Sequence, residues 1–123
     1  MRPRASQIEF DSTDALVEEF EKICLDQYEC LLDRKIARYN RLVDKIIIIL
    51  DELKLRRERQ RLLPLLNHKN RQVRYQAAMA TLLVAPASAK EALEKLSKSH
   101  EFPQAADASI ALDKLADGSF VPS

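Results

Sequence analysis

The sequence contains very little glycine and few aromatic residues. Gly118 is the only glycine among the 123 residues, tryptophan is absent, and phenylalanine and tyrosine together occupy seven positions. A loop that cradles phosphate needs several glycines in close succession, so the sequence has no motif of that class. A surface that stacks nucleic-acid bases needs aromatic side chains near its basic residues, and only Tyr75 meets that condition.

Cysteine and histidine are also scarce. Cys24 and Cys30 lie six residues apart on one predicted helix, which turns their side chains away from each other and disfavours a disulfide. With only His68 and His100 elsewhere, no group of these residues has the spacing of zinc ligands. We therefore expect reduced, structural cysteines, no metal and no cofactor. Both histidines fall in predicted turns, where we expect solvated loop residues rather than general bases.

Long apolar runs are missing as well. The longest run is 46–50, far below the roughly 18 residues of a membrane span, and the first four residues lack the apolar segment of a secretory signal. We therefore expect a cytoplasmic protein with no membrane partner. The formal net charge is only +1, which argues against nucleic acid as the main ligand.

The residues that are abundant are typical of helices. Alanine, leucine, isoleucine and charged residues dominate, and apolar positions recur every three or four residues, which predicts an all-α fold. A β-strand at 46–50 is the alternative, but the periodicity on both sides of this run is helical. Capping residues, prolines and apolar stripes predict about six helices, at 13–33, 34–53, one containing 62–66, and then 70–84, 86–99 and 104–116.

Several details of these helices are predicted by individual residues. We expect a tight break near 33–35 between the first two helices, and we expect the second helix to be the most buried, with a stripe at Ile36, Tyr39, Val43, Ile46, Leu50 and Leu53. Pro64 predicts a helix start or a bend inside the third helix. Gly118 predicts a left-handed cap at the end of the sixth.

The segment 62–83 reads LLPLLNHKNRQVRYQAAMATLL, two apolar stretches joined by a short polar turn. It resembles the HEAT-like repeat of armadillo-type proteins. Gln72 and Gln104 begin similar segments 32 residues apart, which indicates a weak internal repeat in the range of helical solenoids. Taken over nearly the whole chain, the sequence resembles a small bacterial family of HEAT-like proteins classed as a domain of unknown function.

This resemblance implies a HEAT-like α-α superhelix, a right-handed stack of about six helices. We expect an N-terminal arm at 1–11, one domain at 12–118 and a short tail at 119–123. The resemblance carries no catalytic residues, and at most it implies an accessory or immunity role beside toxins. Some HEAT-like proteins are DNA glycosylases, but their chemistry needs aromatic residues around an extruded base, and these are missing here. We expect no enzyme.

Charge is distributed unevenly along the chain. Residues 1–33 hold nine acidic and three basic side chains, whereas residues 54–74 hold eight basic and one acidic. One interpretation is that the two blocks pair within the molecule and largely cancel. The other is that the basic segment forms an exposed surface for an acidic partner.

The predicted function is that of a macromolecular-interaction module that binds a protein with an acidic patch, as an adaptor or an immunity-type protein. Nucleic-acid binding and a self-assembling structural module are the alternatives, and the protein is expected to be a monomer or a homodimer. Arg74 is expected to brace neighbouring repeats more than to contact a ligand, and Tyr75 is as compatible with the core as with a surface. The predicted partner-binding residues are Arg57, Arg61, Lys69, Arg71, Arg74, Tyr75, Gln104 and Asp107.

Overall fold

The computed structural model describes residue 8 and residues 10–123. Within residues 10–123 the chain forms five α-helices and one 3-10 helix, with no strand. The elements are α1 (Thr13–Asp33), α2 (Ile36–Leu55), the 3-10 helix (Arg59–Asn67), α3 (Arg71–Thr81), α4 (Pro86–Ser97) and α5 (Gln104–Asp117). The all-α prediction is therefore confirmed for this part of the chain. Most of the arm predicted at 1–11 lies outside the described residues.

The chain divides into two compact units, one ending at Arg61 and one spanning Leu62–Ser123. The boundaries of the arm, domain and tail remain predictions. None of the helices between residues 10 and 123 combines the length and the apolar composition that a membrane crossing requires.

Helix α1 begins and ends as its sequence predicts. The Ser12 hydroxyl accepts a hydrogen bond from the Ala15 N–H at 3.0 Å, which satisfies one of the free donors of the first turn. At the other end Arg34 has a φ of 56°, and this left-handed residue makes the tight break predicted at 33–35. The buried residues of α1 are Leu16, Phe20, Ile23, Cys24, Gln27 and Cys30.

Both cysteines are buried and free of a disulfide. Burial raises the pKa of the Cys24 thiol, because a thiolate would lose its hydration there. The cysteines are therefore packing residues, as predicted.

The buried face of α2 agrees only in part with the predicted stripe. Ile46 and Leu53 are buried as predicted, and Leu42 and Ile49 are buried in addition. Tyr39, Val43 and Leu50 are half-buried, whereas Ile36 is 71% exposed. The run of apolar residues at 46–50 offers several faces of similar hydrophobicity, so periodicity alone located the buried face only in part. The prediction that this helix is the most buried is wrong, since α1 buries six residues and α2 four.

The segment predicted as a third α-helix is a 3-10 helix instead. Pro64 lies inside it. Proline has no N–H to donate, and in an α-helix its ring would clash with the carbonyl four residues earlier. The segment around Pro64 therefore forms the tighter 3-10 helix. After its last residue, the His68 N–H donates to the Leu65 carbonyl at 3.1 Å.

The remaining helices follow local signals closely. The Asn70 side-chain oxygen caps α3 by accepting from the N–H groups of Gln72 at 2.9 Å and Val73 at 3.2 Å. Helix α3 ends at Thr81, three residues before the predicted end. Pro86 is the first residue of α4, as predicted, because the first helical position needs no N–H donor.

Helices α3, α4 and α5 supply one buried cluster within residues 62–123. Alanine is prominent in it, and this small side chain lets helices approach closely. The cluster consists of Ala78, Leu82, Ala89, Leu93, Leu96 and Ala108. Partly buried side chains pack against it from its rim, among them Tyr75, Met79 and Phe120.

Candidate functional site

One face of α3 and one face of α5 line a shared groove within residues 62–123. Tyr75 and Met79 lie one turn apart on α3, and α5 contributes positions separated by three or four residues, so each set projects from a single side of its helix. We call this the α3–α5 groove. Its volume is about 320 Å³, and it is lined by Tyr75, Met79, Asp107, Ile110, Ala111, Lys114, Ser119 and Phe120.

A buried chain of hydrogen bonds joins the N-terminal ends of the two helices. The Gln104 amide donates to the Gln72 side-chain oxygen at 2.8 Å, and the Gln104 oxygen accepts from Arg71 Nε at 3.0 Å. Both glutamines are almost fully buried. These are the two glutamines that begin the predicted internal repeat, so the repeat positions contact each other directly. The amide chain fixes the spacing of α3 and α5 beside the groove.

The apolar side chains that line the groove remain partly exposed to solvent, and most of them also pack against the core. Tyr75, Met79 and Phe120 pack against the buried cluster and also line the groove. Ile110 is 52% exposed. The alternatives left open for Tyr75, core residue or surface residue, are therefore both partly correct. A half-exposed apolar lining of this kind offers area that a partner can bury.

The C-terminal tail contributes to the groove because of Gly118. Its φ of 82° is a left-handed conformation, which reverses the chain after α5 as predicted. The Phe120 N–H then donates to the Lys114 carbonyl at 3.2 Å, and the phenyl ring packs on the core. The Asp117 carboxylate accepts from the Ser119 N–H at 2.8 Å, and hydrogen bonding from the Ser119 side chain and then from this N–H lowers the pKa of Asp117.

Asp107 and Lys114 supply charges of opposite sign to the groove. They lie seven residues apart on α5, about 10 Å at the rise of an α-helix. Asp107 is exposed overall, and partial burial of its carboxyl raises the pKa of this group because the charged form loses part of its hydration. Among the described residues the Asp107 side chain has no hydrogen bond and no ion pair. The groove is thus apolar along its length and charged at two points.

The predicted basic surface is largely engaged within the molecule. In the unit ending at Arg61, Arg56 pairs with Glu52 at 2.7 Å and donates to the Ile8 carbonyl at 2.9 Å. Arg59 donates to the Leu50 carbonyl at 3.2 Å, and burial lowers its pKa. Arg61 pairs with Asp14 of α1. The first interpretation of the charge pattern, pairing between the acidic and basic blocks, therefore holds for this contact.

In the second unit Arg74 pairs with Glu101, in the turn before α5, at 2.5 Å. It also lines a smaller pocket of about 240 Å³ with Leu66, Asn67 and Lys95 among its neighbours. Arg74 thus ties together parts of the unit. Its Nε atom is buried and has no hydrogen-bond partner among the described residues.

Only two of the predicted basic residues remain exposed without a side-chain partner among the described residues, Arg57 and Lys69. They belong to different units. Of the eight predicted site residues, Tyr75 and Asp107 line the α3–α5 groove, and Arg71 and Gln104 form the hydrogen-bond chain beside it. Sequence reasoning did not place Ile110, Lys114 or Phe120 at the site. The spacing of 107, 110 and 114 on one helix was the available signal.

The described residues contain no cluster of side chains that could bind a metal ion. No three histidine, cysteine, aspartate or glutamate side chains there lie close enough together to hold a metal ion. His68 Nδ1 accepts the Asn70 N–H at 2.9 Å, and the His100 ring lies 6.5 Å from the Phe102 ring. The absence of an enzymatic activity and of a cofactor remains a prediction.

Residues 14–116 match the model of a family described as a domain of unknown function, DUF2019. The chain belongs to this family. Among solved structures, it is similar to the crystal structure of the protein RPA1889 from Rhodopseudomonas palustris CGA009. The two are 46% identical with a TM-score of 0.90, and the match covers 93% of this chain and 96% of that one.

No curated protein matches the chain. Membership of a family classed as a domain of unknown function was predicted from the sequence and is confirmed. Neither comparison assigns this DUF2019 chain to the HEAT-like or armadillo-type proteins.

Proposed function

We propose that the chain is a non-enzymatic binding module for another protein, and that the α3–α5 groove is its contact surface. The observation that carries this proposal is the half-exposed apolar lining of Tyr75, Met79, Ile110 and Phe120. These side chains are held by the core or by a helix, so ordering them on binding costs little entropy. Apolar anchors flanked by charges are the usual composition of a protein-binding patch.

The groove is a better contact surface than the basic segment 54–74. Arg56, Arg59 and Arg61 already bind groups of their own unit, and Arg74 binds Glu101. Using them for a partner would require breaking these contacts. Among the described residues, Arg57 and Lys69 are therefore the only exposed basic residues of the predicted set that have no side-chain partner. Contact between the basic segment and an acidic patch is thus the weaker proposal.

A HEAT-like arrangement remains part of the proposal for residues 62–123. It is supported by the hydrogen bond between the repeat-related Gln72 and Gln104. It is weakened by the 3-10 helix, which stands where a HEAT-like pair would have its first α-helix. In this scheme α3 and α5 would be successive inner helices of the stack, the surface on which such proteins present their contacts.

The test compares two charge insertions at neighbouring positions of α5. Ile110→Glu places a carboxylate in the groove, whereas Ser109→Glu places one on an adjacent exposed position that does not line it. The tagged wild-type chain and both variants capture proteins from cells that naturally make this protein, and quantitative mass spectrometry compares what is bound. Arg57→Glu with Lys69→Glu forms a third variant that tests the basic segment.

We expect one partner to be recovered by the wild-type chain and by Ser109→Glu, and reduced at least fivefold by Ile110→Glu, a loss of about 1 kcal/mol of binding energy. Equal recovery by both α5 variants would overturn the assignment of the groove. Loss only with the Arg57 and Lys69 reversals would return the contact to the basic segment. Binding of a short DNA duplex that survives physiological salt would replace the protein-partner function by the nucleic-acid alternative.

A further inference from the structure

Asp107 is the one carboxylate that lines the α3–α5 groove. Elsewhere in residues 62–123 two carboxylates form ion pairs, Glu101 with Arg74 and Glu91 with Lys95. Asp107 has none among the described residues, although it lines the groove beside apolar side chains and is exposed to an incoming ligand. A carboxylate without a cationic partner is stabilised when a cation arrives.

Aromatic rings line the same groove. Tyr75 and Phe120 both belong to its lining, and both are held against the core. The face of an aromatic ring attracts a cation through its quadrupole, and an arginine or lysine lays its hydrocarbon stem along apolar surface while its charged end reaches a carboxylate. A carboxylate and aromatic rings around one cavity therefore favour a basic side chain over an acidic one.

The size of the groove is compatible with this occupant. Its volume of about 320 Å³ corresponds to roughly ten water molecules at about 30 Å³ each. That is room for one long side chain with neighbouring apolar groups. Lys114 lies about 10 Å along α5 from Asp107, and its positive charge disfavours a second basic group at its own end of the groove.

We infer that the α3–α5 groove receives an arginine or lysine side chain of the partner protein, with the cationic group on the Asp107 carboxylate and the hydrocarbon stem against Tyr75 and Met79. The inference rests on the proposed function of the groove and adds the chemical class of the group that it recognises. Charge complementarity at Asp107 selects this occupant. It predicts a partner that carries a basic residue next to apolar ones.

The test uses three peptides that differ at one position, acetyl-Leu-X-Leu-amide with X as arginine, citrulline or glutamate. Citrulline keeps the shape of arginine and removes its charge. Each peptide is titrated into the full, isotope-labelled chain, and backbone amide shifts are followed by NMR. The matched variants are Asp107→Asn in the groove and Asp113→Asn, an exposed carboxylate on the same helix that does not line it.

We expect the arginine peptide to shift amides of Tyr75, Met79 and Ala111 and to bind about tenfold more tightly than the citrulline peptide, as for a charged hydrogen bond that remains partly solvated. Asp107→Asn should remove this difference, and Asp113→Asn should preserve it. The wild-type comparison of the three peptides needs no variant, so a folding defect in Asp107→Asn leaves the test intact.

Each other result has a definite meaning. Equal binding of the arginine and citrulline peptides at the groove overturns the inference while the proposed function stands. Tighter binding of the glutamate peptide overturns it in favour of Lys114. Shifts outside the groove, or none, overturn the inference together with the groove assignment. Groove shifts that depend on protein concentration without peptide would identify a second copy of the chain as the occupant and overturn the inference.

Discussion

Replacing Gln104 with leucine tests the hydrogen-bond chain that sets the spacing of α3 and α5. Leucine has nearly the size of glutamine, so the substitution removes two hydrogen bonds without leaving a large cavity. It leaves the buried Gln72 side chain without its 2.8 Å donor and Arg71 Nε without its 3.0 Å acceptor. Because Gln72 is almost fully buried, water cannot readily take the place of the lost donor.

The expected cost follows from these two groups. The loss of a hydrogen bond to a buried acceptor costs about 1–3 kcal/mol, whereas the half-buried Arg71 recovers part of its loss through water. Leucine regains some free energy by burying apolar area in place of an amide. We therefore expect Gln104→Leu to lower the free energy of unfolding by about 2 kcal/mol, and Gln72→Leu by a similar amount. The double variant removes both ends of the Gln104–Gln72 hydrogen bond, so its cost should fall about 1–2 kcal/mol short of the sum of the single costs.

Urea unfolding followed by far-ultraviolet circular dichroism measures these changes. With a denaturant slope of about 1–3 kcal/mol per molar urea, a loss of 2 kcal/mol lowers the midpoint by roughly 1 M. Hydrogen exchange at the amides of Ala77 and Ala108 locates the loss in residues 62–123, and exposed Gln60→Leu should stay within about 0.5 kcal/mol of the wild type. Additive single costs, or a Gln104→Leu cost under 0.5 kcal/mol, would refute the reasoning.

Three further substitutions test local features. Asn70→Ala removes the cap of α3 and should cost about 1 kcal/mol in urea unfolding, whereas Asn70→Asp should cost much less; equal costs would contradict the capping role. Gly118→Ala should cost about 1–2 kcal/mol in thermal unfolding because of its φ of 82°, although open space surrounds the position, and Gly118→Asn should cost less. Asp107→Asn should match or exceed the wild-type stability at neutral pH. Since burial raises the pKa of this carboxyl, the wild type loses stability relative to the variant as pH rises through that pKa, and the difference should vanish in acid; a growing difference in acid would be the contrary result.

Helix boundaries were predictable because they depend on residues a few positions apart. The side-chain oxygens of Ser12 and Asn70 act locally, because each accepts a hydrogen bond from a backbone N–H two or three residues later, in the helix that it caps. Pro86 at the start of α4 and Gly118 after α5 act through their own backbone angles. Such signals can be read from a single window of sequence, and the family resemblance carried by 62–83 agrees with them.

The type of the third helix could not be predicted from residues that are close together in the sequence. Pro64 indicated a start or a bend, but the periodicity of the leucines did not distinguish a 3-10 helix from an α-helix, and only Leu62 of this segment is buried. The buried face of α2 depended on its packing partner. With apolar residues at every position from 46 to 50, the sequence offers several acceptable faces, and packing against α1 selects Leu42, Ile46, Ile49 and Leu53.

The sequence by itself determined the helical class, the helix ends, the family and the residues from which a site could be built. Only the tertiary structure decided which of those residues are available. Arg61 meets Asp14 across 47 positions, Gln104 meets Gln72 across 32, and Arg74 meets Glu101 across 27. Hydrogen bonds and ion pairs act over a few ångströms, so they depend on where the fold places two residues and not on how far apart these residues are in the sequence. The fold therefore determined that most of the basic segment is engaged within the molecule. It also determined that Tyr75, Asp107 and Phe120 line one groove.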